Sequence, residues 1–295
     1  MFKIISKEIM AHNVKSYVIS APDIAKNARA GQFVMLRVDD KGERVPLTIA
    51  GADVEKGFIR IIFQEAGKTT KHLGRLGEGD FIKDILGPLG IPTEIKKYGT
   101  VAAIAGGVGT AEVLPVINYL RAEGNKIITI IGARNKDLIL LENEIKQNSD
   151  ELIITTDDGS KGVKGFVTTA LDDLIKKGVK IDMVYAIGPV PMMRSVSNLT
   201  KEYSIPAFVS LNPIMVDGTG MCGACRVTVD GRTRFACVEG PEFDAHKVDW
   251  DELISRLSLF KELEKLSDDK FASENFANEK NECFEHNPEC KCRRK

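Results

Sequence analysis

Residues 98–115, which read YGTVAAIAGGVGTAEVLP, mark the point where the pattern of the chain changes. The apolar run TVAAIA is followed by a glycine cluster and then by the helix-like segment TAEVLPVINYLRAEG. After this segment, helix-like stretches alternate with further apolar runs, which are KIITIIG, ELIITT, DMVYAIG and PAFVSL. Because parallel strands need crossover connections, this alternation predicts a parallel sheet with helices on both faces. We place this α/β domain at residues 96–210.

In the residues before this stretch, apolar and polar side chains alternate with a shorter period. Segments such as SYVIS, QFVMLRV and FIRIIFQ alternate in polarity and are separated by turn residues. Alternation with a period of two is typical of strands that bury one face. Residues 1–95 are therefore predicted to form a small antiparallel β-barrel.

Two smaller segments and a tail follow the α/β domain. Residues 211–250 contain the cysteine loop MVDGTGMCGACRV, which we treat as a small C-terminal module. The segment DWDELISRLSLFKELEKL has apolar residues at helical spacing after an Asp cap, which predicts a helix over residues 251–268. Residues 269–295 are polar and have no period, so we expect a flexible tail there. The predicted fold class is a β-barrel plus an α/β domain, with a small module after them.

The composition is that of a globular protein. The chain has 295 residues, of which 43% are hydrophobic, enough for two or three cored domains. Its 41 basic and 42 acidic residues nearly balance, which argues against a general affinity for nucleic acid or anionic membranes. No run approaches the roughly 18 apolar residues of a membrane span, and charges interrupt MFKIISKEIM too early for a signal peptide. These features predict a cytoplasmic protein with small-molecule or protein partners.

The glycine cluster has two interpretations. Gly106, Gly107 and Gly109 would let a diphosphate approach backbone N–H groups at the start of the next helix. The same glycines would also serve a tight strand-to-helix connection, and the pattern is not the G-x-G-x-x-G fingerprint. The loops TTDDGSKGVKG and AIGPVPMM fall at the C-terminal ends of predicted parallel strands as well. Three such loops on one edge favour a nucleotide site.

Two segments of the predicted barrel are rich in small and hydroxyl residues. In GERVPLTIAG, Thr48 could offer a hydroxyl or a backbone amide to a flavin ring. In FQEAGKTTKHL, the backbone of Gly67, Thr69 and Thr70 could cradle a diphosphate. Ordinary barrel turns rich in Gly and Thr would give the same composition, so both interpretations stay open.

The cysteine loop has the spacing of a metal site. Cys222 and Cys225 form a C-x-x-C pair, and Cys237 follows RVTVDGRTRFA, which is typical of a hairpin with DG at its turn. Asp217 stands five residues before Cys222 and is a chemically reasonable fourth ligand. The pattern D-x4-C-x2-C…C mimics the C-x4-C-x2-C…C spacing of plant-type [2Fe–2S] sites. The alternatives are zinc held by three thiolates and a carboxylate, and an Asp217 that merely opens a glycine turn.

A second group of cysteines lies in the tail. Cys283, Cys290 and Cys292, with His286, occur in the stretch CFEHNPECKC. Their spacing is irregular and no predicted core surrounds them, which favours a solvated tail over another metal site.

The order of these motifs resembles the ferredoxin reductase-like superfamily and, within it, the electron-transfer subunits of type-B dihydroorotate dehydrogenase. Asp217 in place of a cysteine and the ending GPEFDAHKVDWDEL are more similar to the small subunits of NADH-dependent reduced ferredoxin:NADP oxidoreductases. The resemblance covers about residues 1–265. It implies FAD in the barrel, NAD(H) at the α/β domain and a [2Fe–2S] cluster held by Asp217, Cys222, Cys225 and Cys237.

The resemblance also assigns binding residues by motif. For the flavin it implies Pro46, Leu47, Thr48, Ile62, Phe63, Gln64, Gly67, Thr69 and Thr70. For the nicotinamide nucleotide it implies Gly106, Gly107, Val108, Gly109, Thr110, Asp157, Asp158, Gly188, Pro189 and Met192. Arg134 follows the second strand and could reach an adenine ribose or phosphate. Val45 occupies the arginine position of the commoner R-P-[IL]-[ST] pattern, and Arg44, one residue earlier, is the candidate phosphate ligand.

The implied function is electron transfer that needs no general acid or base from the protein. NADH would give a hydride to the flavin N5, and single electrons would pass through the cluster to a larger flavin and iron–sulfur subunit and indirectly to ferredoxin. The alternatives are the electron-transfer subunit of an NAD-dependent dihydroorotate dehydrogenase and a regulatory or scaffold protein that binds nucleotide without catalysis.

Overall fold

The computed structural model describes the backbone of residues 1–286 and the side chains of residues 1–273. The proposed tail group of Cys283, His286, Cys290 and Cys292 lies outside the described side chains.

The N-terminal sheet is a nearly closed antiparallel barrel of seven strands. In chain order these strands are β1 (Phe2–Ala11), β2 (Val14–Ser20), β3 (Phe33–Arg37), β4 (Arg44–Asp53), β5 (Phe58–Gln64), β6 (Phe81–Ile82) and β7 (Asp84–Leu89). Their spatial order is β6-β1-β2-β5-β4-β3-β7. Since only Lys83 separates β6 from β7, one continuous segment pairs with both edges of the sheet. The alternation of buried and exposed residues that predicted the barrel is confirmed.

Two short helices accompany the barrel. They are α1 (Pro22–Asn27) and α2 (Lys68–Leu73). The barrel core is built from inward side chains of several strands, including Tyr17, Ile19 and Ile61, each of which is fully buried.

The second sheet is the predicted parallel one. Its strands are β8 (Thr100–Gly106), β9 (Lys126–Ala133), β10 (Glu151–Thr156), β11 (Val163–Lys164), β12 (Met183–Ile187) and β13 (Ala207–Ser210). The helices between them are α3 (Gly109–Ala122), α4 (Glu142–Gln147), α5 (Val167–Lys176) and α6 (Val190–Glu202). The strands lie in the order β11-β10-β9-β8-β12-β13, so the chain reverses its direction across the sheet between β8 and β12. Both faces of the central strands are buried, as their continuous apolar runs require.

The cysteine loop ends by returning to this sheet. It carries the hairpin β14 (Arg226–Val229) and β15 (Arg232–Phe235) and the short helix α7 (Ala236–Glu239). The next strand, β16 (Glu242–Asp244), pairs antiparallel with β13 and extends the sheet to seven strands. The hairpin with DG at its turn is confirmed, since Asp230 and Gly231 have φ values of 53° and 68°.

The C-terminal helical region differs from the prediction. Two helices, α8 (Trp250–Ser258) and α9 (Lys261–His286), replace the single helix predicted over residues 251–268. The flexible tail predicted from residue 269 is wrong as far as His286, because α9 continues to that residue. Helix α9 is rich in Glu and Lys, which have a high helix propensity, so it forms although its sequence has no apolar period. Its first turns are held on the barrel by an ion pair of 2.6 Å between Asp268 and Lys71.

None of the helices in the described part of the chain is both long and apolar enough to cross a membrane.

Candidate functional site

The reversal between β8 and β12 opens a crevice at the carboxyl edge of the parallel sheet. The loops that follow these two strands leave the edge in different directions, which is where open α/β sheets bind ligands. Two cavities lie at this edge. We call the cavity on the sheet side the edge cavity and the one on the barrel side the barrel cavity.

The glycines after β8 serve two different purposes. A Cβ on Gly109 would lie 2.5 Å from the carbonyl oxygen of Ile187, and one on Gly106 would lie 2.6 Å from Sδ of Met192. These two glycines are therefore required for close packing against the strand and loop of β12. Gly107 has a φ of 57°, and a Cβ there would meet nothing within 4 Å. Gly107 borders both cavities, so the tight-connection and ligand-binding interpretations each explain part of the cluster.

The edge cavity has a volume of about 590 Å³ and lies over the ends of β8, β9, β10 and β12. Arg134 and Asp157 are its two ionisable side chains among the described residues that line it. Of the residues assigned to the nicotinamide nucleotide, the structure brings together here Gly106, Gly107, Val108, Arg134, Asp157, Pro189 and Met192.

The barrel cavity, of about 340 Å³, lies between the barrel and the sheet edge. On the barrel side it is lined by the predicted flavin segments, Pro46–Thr48 of β4 and Ile62–Gln64 of β5. On the other side are the glycine turn of residues 106–109 and the loop of Gly188 and Pro189. The two cavities share the residues Gln64, Gly106, Gly107, Val108 and Pro189. The two cavities therefore share part of one wall.

Several predicted residues do not line either cavity. These are Arg44, Gly67, Thr69, Thr70, Thr110 and Asp158. Arg44 of β4 pairs with Arg37 of the neighbouring strand β3, and both guanidinium groups lie within 4.0 Å of the Asp84 carboxylate. The hydroxyl of Thr110 donates a hydrogen bond of 2.9 Å to the carbonyl of Gly107 and so braces the glycine turn.

Of the remaining four residues, Thr69 lies in α2 and the other three are engaged in local turns. The hydroxyl oxygen of Thr70 accepts a hydrogen bond of 3.1 Å from the N–H of Gly67, and the Asp158 carboxylate accepts one of 2.9 Å from the N–H of Ser160. The assignment of these residues to diphosphate and nucleotide binding stays a prediction.

Sequence reasoning missed Glu112, which lines the barrel cavity. It is the single ionisable side chain among the described residues around that cavity. Burial raises the pKa of the Glu112 carboxyl to about 7, although a hydrogen-bonding interaction with Thr48 acts in the opposite direction. The available signal was one acidic residue, in the first turn of the otherwise apolar helix segment GTAEVLPVI.

The cysteine loop brings two of its thiols together. The sulfurs of Cys225 and Cys237 lie 3.1 Å apart, and both residues are buried as free thiols. Burial, and secondarily the adjacent Cys225, raise the pKa of the Cys237 thiol to about 12. Because buried thiolates are stable only beside a compensating cation, this pair is chemically suited to iron.

Asp217 is bound to the same loop through its backbone. Its Oδ2 accepts a hydrogen bond of 3.0 Å from the N–H of Cys222, and its Oδ1 accepts one of 2.6 Å from the N–H of Thr219. These backbone bonds lower the pKa of the Asp217 carboxyl. Within the described residues, no three His, Cys, Asp or Glu side chains stand close enough to hold a metal ion. The structure thus joins the four predicted ligands in two pairs, and their role as a complete set stays a prediction.

The cysteine loop also borders the barrel cavity. Met215, two residues before Asp217, is buried and lines that cavity. A Cβ on Gly218 would lie 2.5 Å from Cγ of Met35 and 3.0 Å from Cδ1 of Leu89, so the loop is closely packed on the barrel. The barrel cavity therefore borders both the edge cavity and the cysteine loop.

Three family models match the chain, in the order of these three parts. An oxidoreductase FAD-binding domain matches residues 1–92, and an oxidoreductase NAD-binding domain matches residues 103–198. The iron–sulfur cluster binding domain of dihydroorotate dehydrogenase B matches residues 212–249. The fold and the matches define an oxidoreductase subunit with FAD-binding, NAD-binding and iron–sulfur cluster binding domains, as the motifs predicted.

Full-length relatives place the chain in a family. It is 49% identical over 269 residues to a homologue of the electron transfer subunit of dihydroorotate dehydrogenase B (NAD(+)) from Thermotoga maritima, covering 91% of this chain and 95% of the relative. It is 33% identical to the dihydroorotate dehydrogenase B (NAD(+)) electron transfer subunit of Desulforamulus reducens, covering 84% and 97%. The chain belongs to the family of dihydroorotate dehydrogenase B electron transfer subunits and their homologues.

Solved structures agree with this family. A chain from the structure of an NADH-dependent reduced ferredoxin-NADP oxidoreductase, a study of flavin-based electron bifurcation, matches with a TM-score of 0.88 and 47% identity. The match covers 92% of this chain and 98% of the other. Phthalate dioxygenase reductase matches with a TM-score of 0.56, 18% identity and coverage of 80% and 93%, which shows the fold alone.

Proposed function

We propose that this chain moves electrons between NAD(H), FAD and a [2Fe–2S] cluster. One observation carries the proposal. The edge and barrel cavities share five residues, and Met215 of the cysteine loop lines the barrel cavity. Three carriers placed at these sites would be neighbours in the order nicotinamide, flavin, cluster.

This order suits the chemistry of the three carriers. Hydride transfer requires the nicotinamide and flavin rings in direct contact, which the shared wall of the two cavities supports. Bound FAD would supply the conversion between a two-electron hydride and single electrons. The chain's own contribution is to bind and orient the carriers. We assign the flavin ring to the segments around Thr48 and Gln64, and the nicotinamide nucleotide to the glycine turn, Arg134 and Asp157.

The cluster ligands we propose are Asp217, Cys222, Cys225 and Cys237. The buried pair of thiols and the matched iron–sulfur domain support the last two, and the bond from the Cys222 N–H to Asp217 keeps the other two adjacent. We propose domain boundaries at residues 1–95, 96–210 and 211–250, although β16 pairs with the second sheet. The free thiols of the loop support a reducing compartment, and we propose the cytoplasm.

The complex we propose is an electron-bifurcating ferredoxin:NADP oxidoreductase with a larger flavin and iron–sulfur subunit, which would exchange electrons with ferredoxin. The TM-score of 0.88 and the 47% identity to a chain of such an enzyme support this assignment. The second candidate is an NAD-dependent dihydroorotate dehydrogenase. It is supported by the relatives that carry the name of its electron transfer subunit, at up to 49% identity.

Anaerobic purification of the native complex from its source tests the proposal. Flavin and iron would be counted, and the co-purifying chains would be identified by mass spectrometry. We expect flavin, iron and one larger flavin and iron–sulfur subunit. A co-purifying dihydroorotate dehydrogenase chain would support the second candidate instead. Protein without flavin and iron would contradict both and favour a nucleotide-binding scaffold.

A further inference from the structure

Glu112 has a position that the proposed electron path leaves unexplained. It lies in the first turn of α3 and lines the barrel cavity from the side of the parallel sheet. Thr48 of β4 interacts with its carboxyl from the barrel side. The other polar residues that line this cavity among the described residues are Gln64, Ser210 and Asn212, none of which is ionisable. An ionisable carboxyl group is unexpected in a cavity that would hold the flavin ring.

The groups that face Glu112 leave its carboxyl free to change its charge. The Tyr185 phenol on β12 is fully buried and interacts electrostatically with Glu112. Beyond it, the Tyr185 hydroxyl donates a hydrogen bond of 2.6 Å to Glu242 on β16. Among the described residues that line the cavity there is no Lys, Arg or His that would hold Glu112 permanently ionised. With its pKa raised to about 7, the carboxyl is poised to take up or release a proton near neutral pH.

The proposed electron path leaves one proton in this cavity. A hydride consists of two electrons and a proton. When the two electrons leave singly to an iron–sulfur cluster, which carries electrons without protons, the proton stays behind. A carboxylate on the wall of this cavity is a suitable acceptor for that proton.

We propose that the Glu112 carboxylate accepts the proton that remains when a hydride's two electrons leave the barrel cavity one at a time, and that Thr48 positions this carboxylate. The inference rests on the proposed function, since it assumes FAD in the barrel cavity and the cluster as the one-electron acceptor. In the reverse direction the Glu112 carboxylic acid returns the proton as two electrons arrive. This role departs from the expectation that electron transfer here needs no acid or base.

Transient kinetics on the full chain, with FAD and cluster bound, test the proposal. NADH would first reduce the protein, and ferricyanide would then reoxidise it in single-electron steps at several pH values. The variants are Glu112→Gln, Glu112→Asp, Thr48→Val and Glu123→Gln. Glu123 is exposed at the far end of the same helix and serves as the matched control.

We expect NADH to reduce Glu112→Gln, Glu112→Asp and Glu123→Gln, because hydride arrival needs no proton acceptor. Reoxidation of Glu112→Gln should be slower by about 100-fold above pH 7, the usual effect of losing one acid–base group. The wild-type reoxidation rate should fall as the pH drops below 7, since a protonated Glu112 cannot accept a second proton. This dependence should disappear in Glu112→Gln and return in Glu112→Asp. Glu123→Gln should behave as the wild type.

Two further measurements do not depend on turnover. The pH dependence of the flavin reduction potential should change slope near pH 7 in the wild type and not in Glu112→Gln. Thr48→Val should move that pH to a higher value, because the Thr48 interaction lowers the pKa of Glu112.

Reoxidation of Glu112→Gln at the wild-type rate with an unchanged pH profile would overturn the proposal. A change of slope near pH 7 that persists in Glu112→Gln would do the same, and so would a Thr48→Val variant in which the slope changes at the wild-type pH. Failure of NADH to reduce the wild-type chain would overturn the proposed function itself, and the inference with it. The two failures are distinguishable, because only the second affects the wild type.

Discussion

The hydroxyl of Tyr185 donates a hydrogen bond of 2.6 Å to the Glu242 carboxylate, in the buried space where the three parts of the chain meet. Tyr185 lies on the central strand β12, and Glu242 lies on β16, the strand that returns from the cysteine loop. Thr93, in the linker after the barrel, donates a second hydrogen bond to Glu242. Burial raises the pKa of Glu242, and these two hydrogen bonds partly offset that effect.

Tyr185→Phe removes one of the two hydrogen-bond donors to the Glu242 carboxylate. The partly buried Glu242 carboxyl then loses a partner, which should cost about 1–3 kcal/mol of unfolding free energy. Urea denaturation of the full-length protein measures this loss. The matched control is Tyr203→Phe, because the Tyr203 hydroxyl also donates to a carboxylate, Asp172 at 2.8 Å, but at the surface. Equal losses of unfolding free energy in the two variants would show that the Tyr185–Glu242 hydrogen bond stabilises the protein no more than a surface hydrogen bond does.

Glu112→Gln should change the stability in a pH-dependent way. The folded-state pKa of about 7 exceeds the ordinary value of 4.5, so the folded state holds its proton more tightly than the unfolded state. Wild-type stability should therefore decrease as the pH rises from about 4.5 to 7, by at most about 3 kcal/mol. The glutamine variant lacks this decrease.

Urea denaturation of the flavin-free full chain at pH 5 and at pH 8 measures the effect. Relative to the wild type, Glu112→Gln should be more stable at pH 8 than at pH 5, whereas Glu123→Gln should show no such difference. A parallel pH dependence in wild type and Glu112→Gln would contradict the raised pKa.

Gly218→Ala should displace the cysteine loop. The new Cβ would lie 2.5 Å from Cγ of Met35, and the φ of 80° is unfavourable for alanine. Strain and overpacking together should cost about 2–4 kcal/mol and reduce the iron content of the purified protein. Gly231→Ala, in the hairpin turn, is a matched control. Its φ of 68° is also strained, but a Cβ there meets nothing within 4 Å, so its iron content should stay at the wild-type level.

Asp217→Cys should retain the cluster but change its properties. A thiolate in place of a carboxylate completes an all-cysteine ligand set, which should change both the visible spectrum and the reduction potential. Asp217→Asn should weaken iron binding. An unchanged spectrum and potential in Asp217→Cys would show that Asp217 is not a ligand.

Local patterns predicted most of the fold. The period of two in β2 and β5 and the apolar runs of β8, β9 and β12 were sufficient, because burial on one face or on both dictates them. Strand β16 has only three residues, too few for a period, and its place depends on pairing with β13. The continuation of α9 beyond residue 268 was missed because its charged residues give no apolar stripe.

The residues of the site likewise fall into those that local motifs indicate and those that depend on contacts between distant parts of the chain. The residues around Thr48, Gln64 and Gly107 follow local motifs, and the structure brings them together at the barrel cavity. Glu112 was missed because one acidic residue on a helix usually faces solvent, and its place on the cavity wall depends on how barrel and sheet meet. The pairing of Cys225 with Cys237 likewise depends on how the hairpin folds back, which the spacing alone does not determine.

The central claim, that one path joins nicotinamide, flavin and cluster in this chain, is tested most directly by an anaerobic NADH titration. The full-length protein, loaded with FAD and iron, would be followed by visible absorption and by electron paramagnetic resonance. We expect about two irons per flavin, bleaching of the flavin by NADH, and then the signal of a reduced [2Fe–2S] cluster. Bleaching of the flavin without any reduction of the cluster, or NADH binding without bleaching, would contradict the claim.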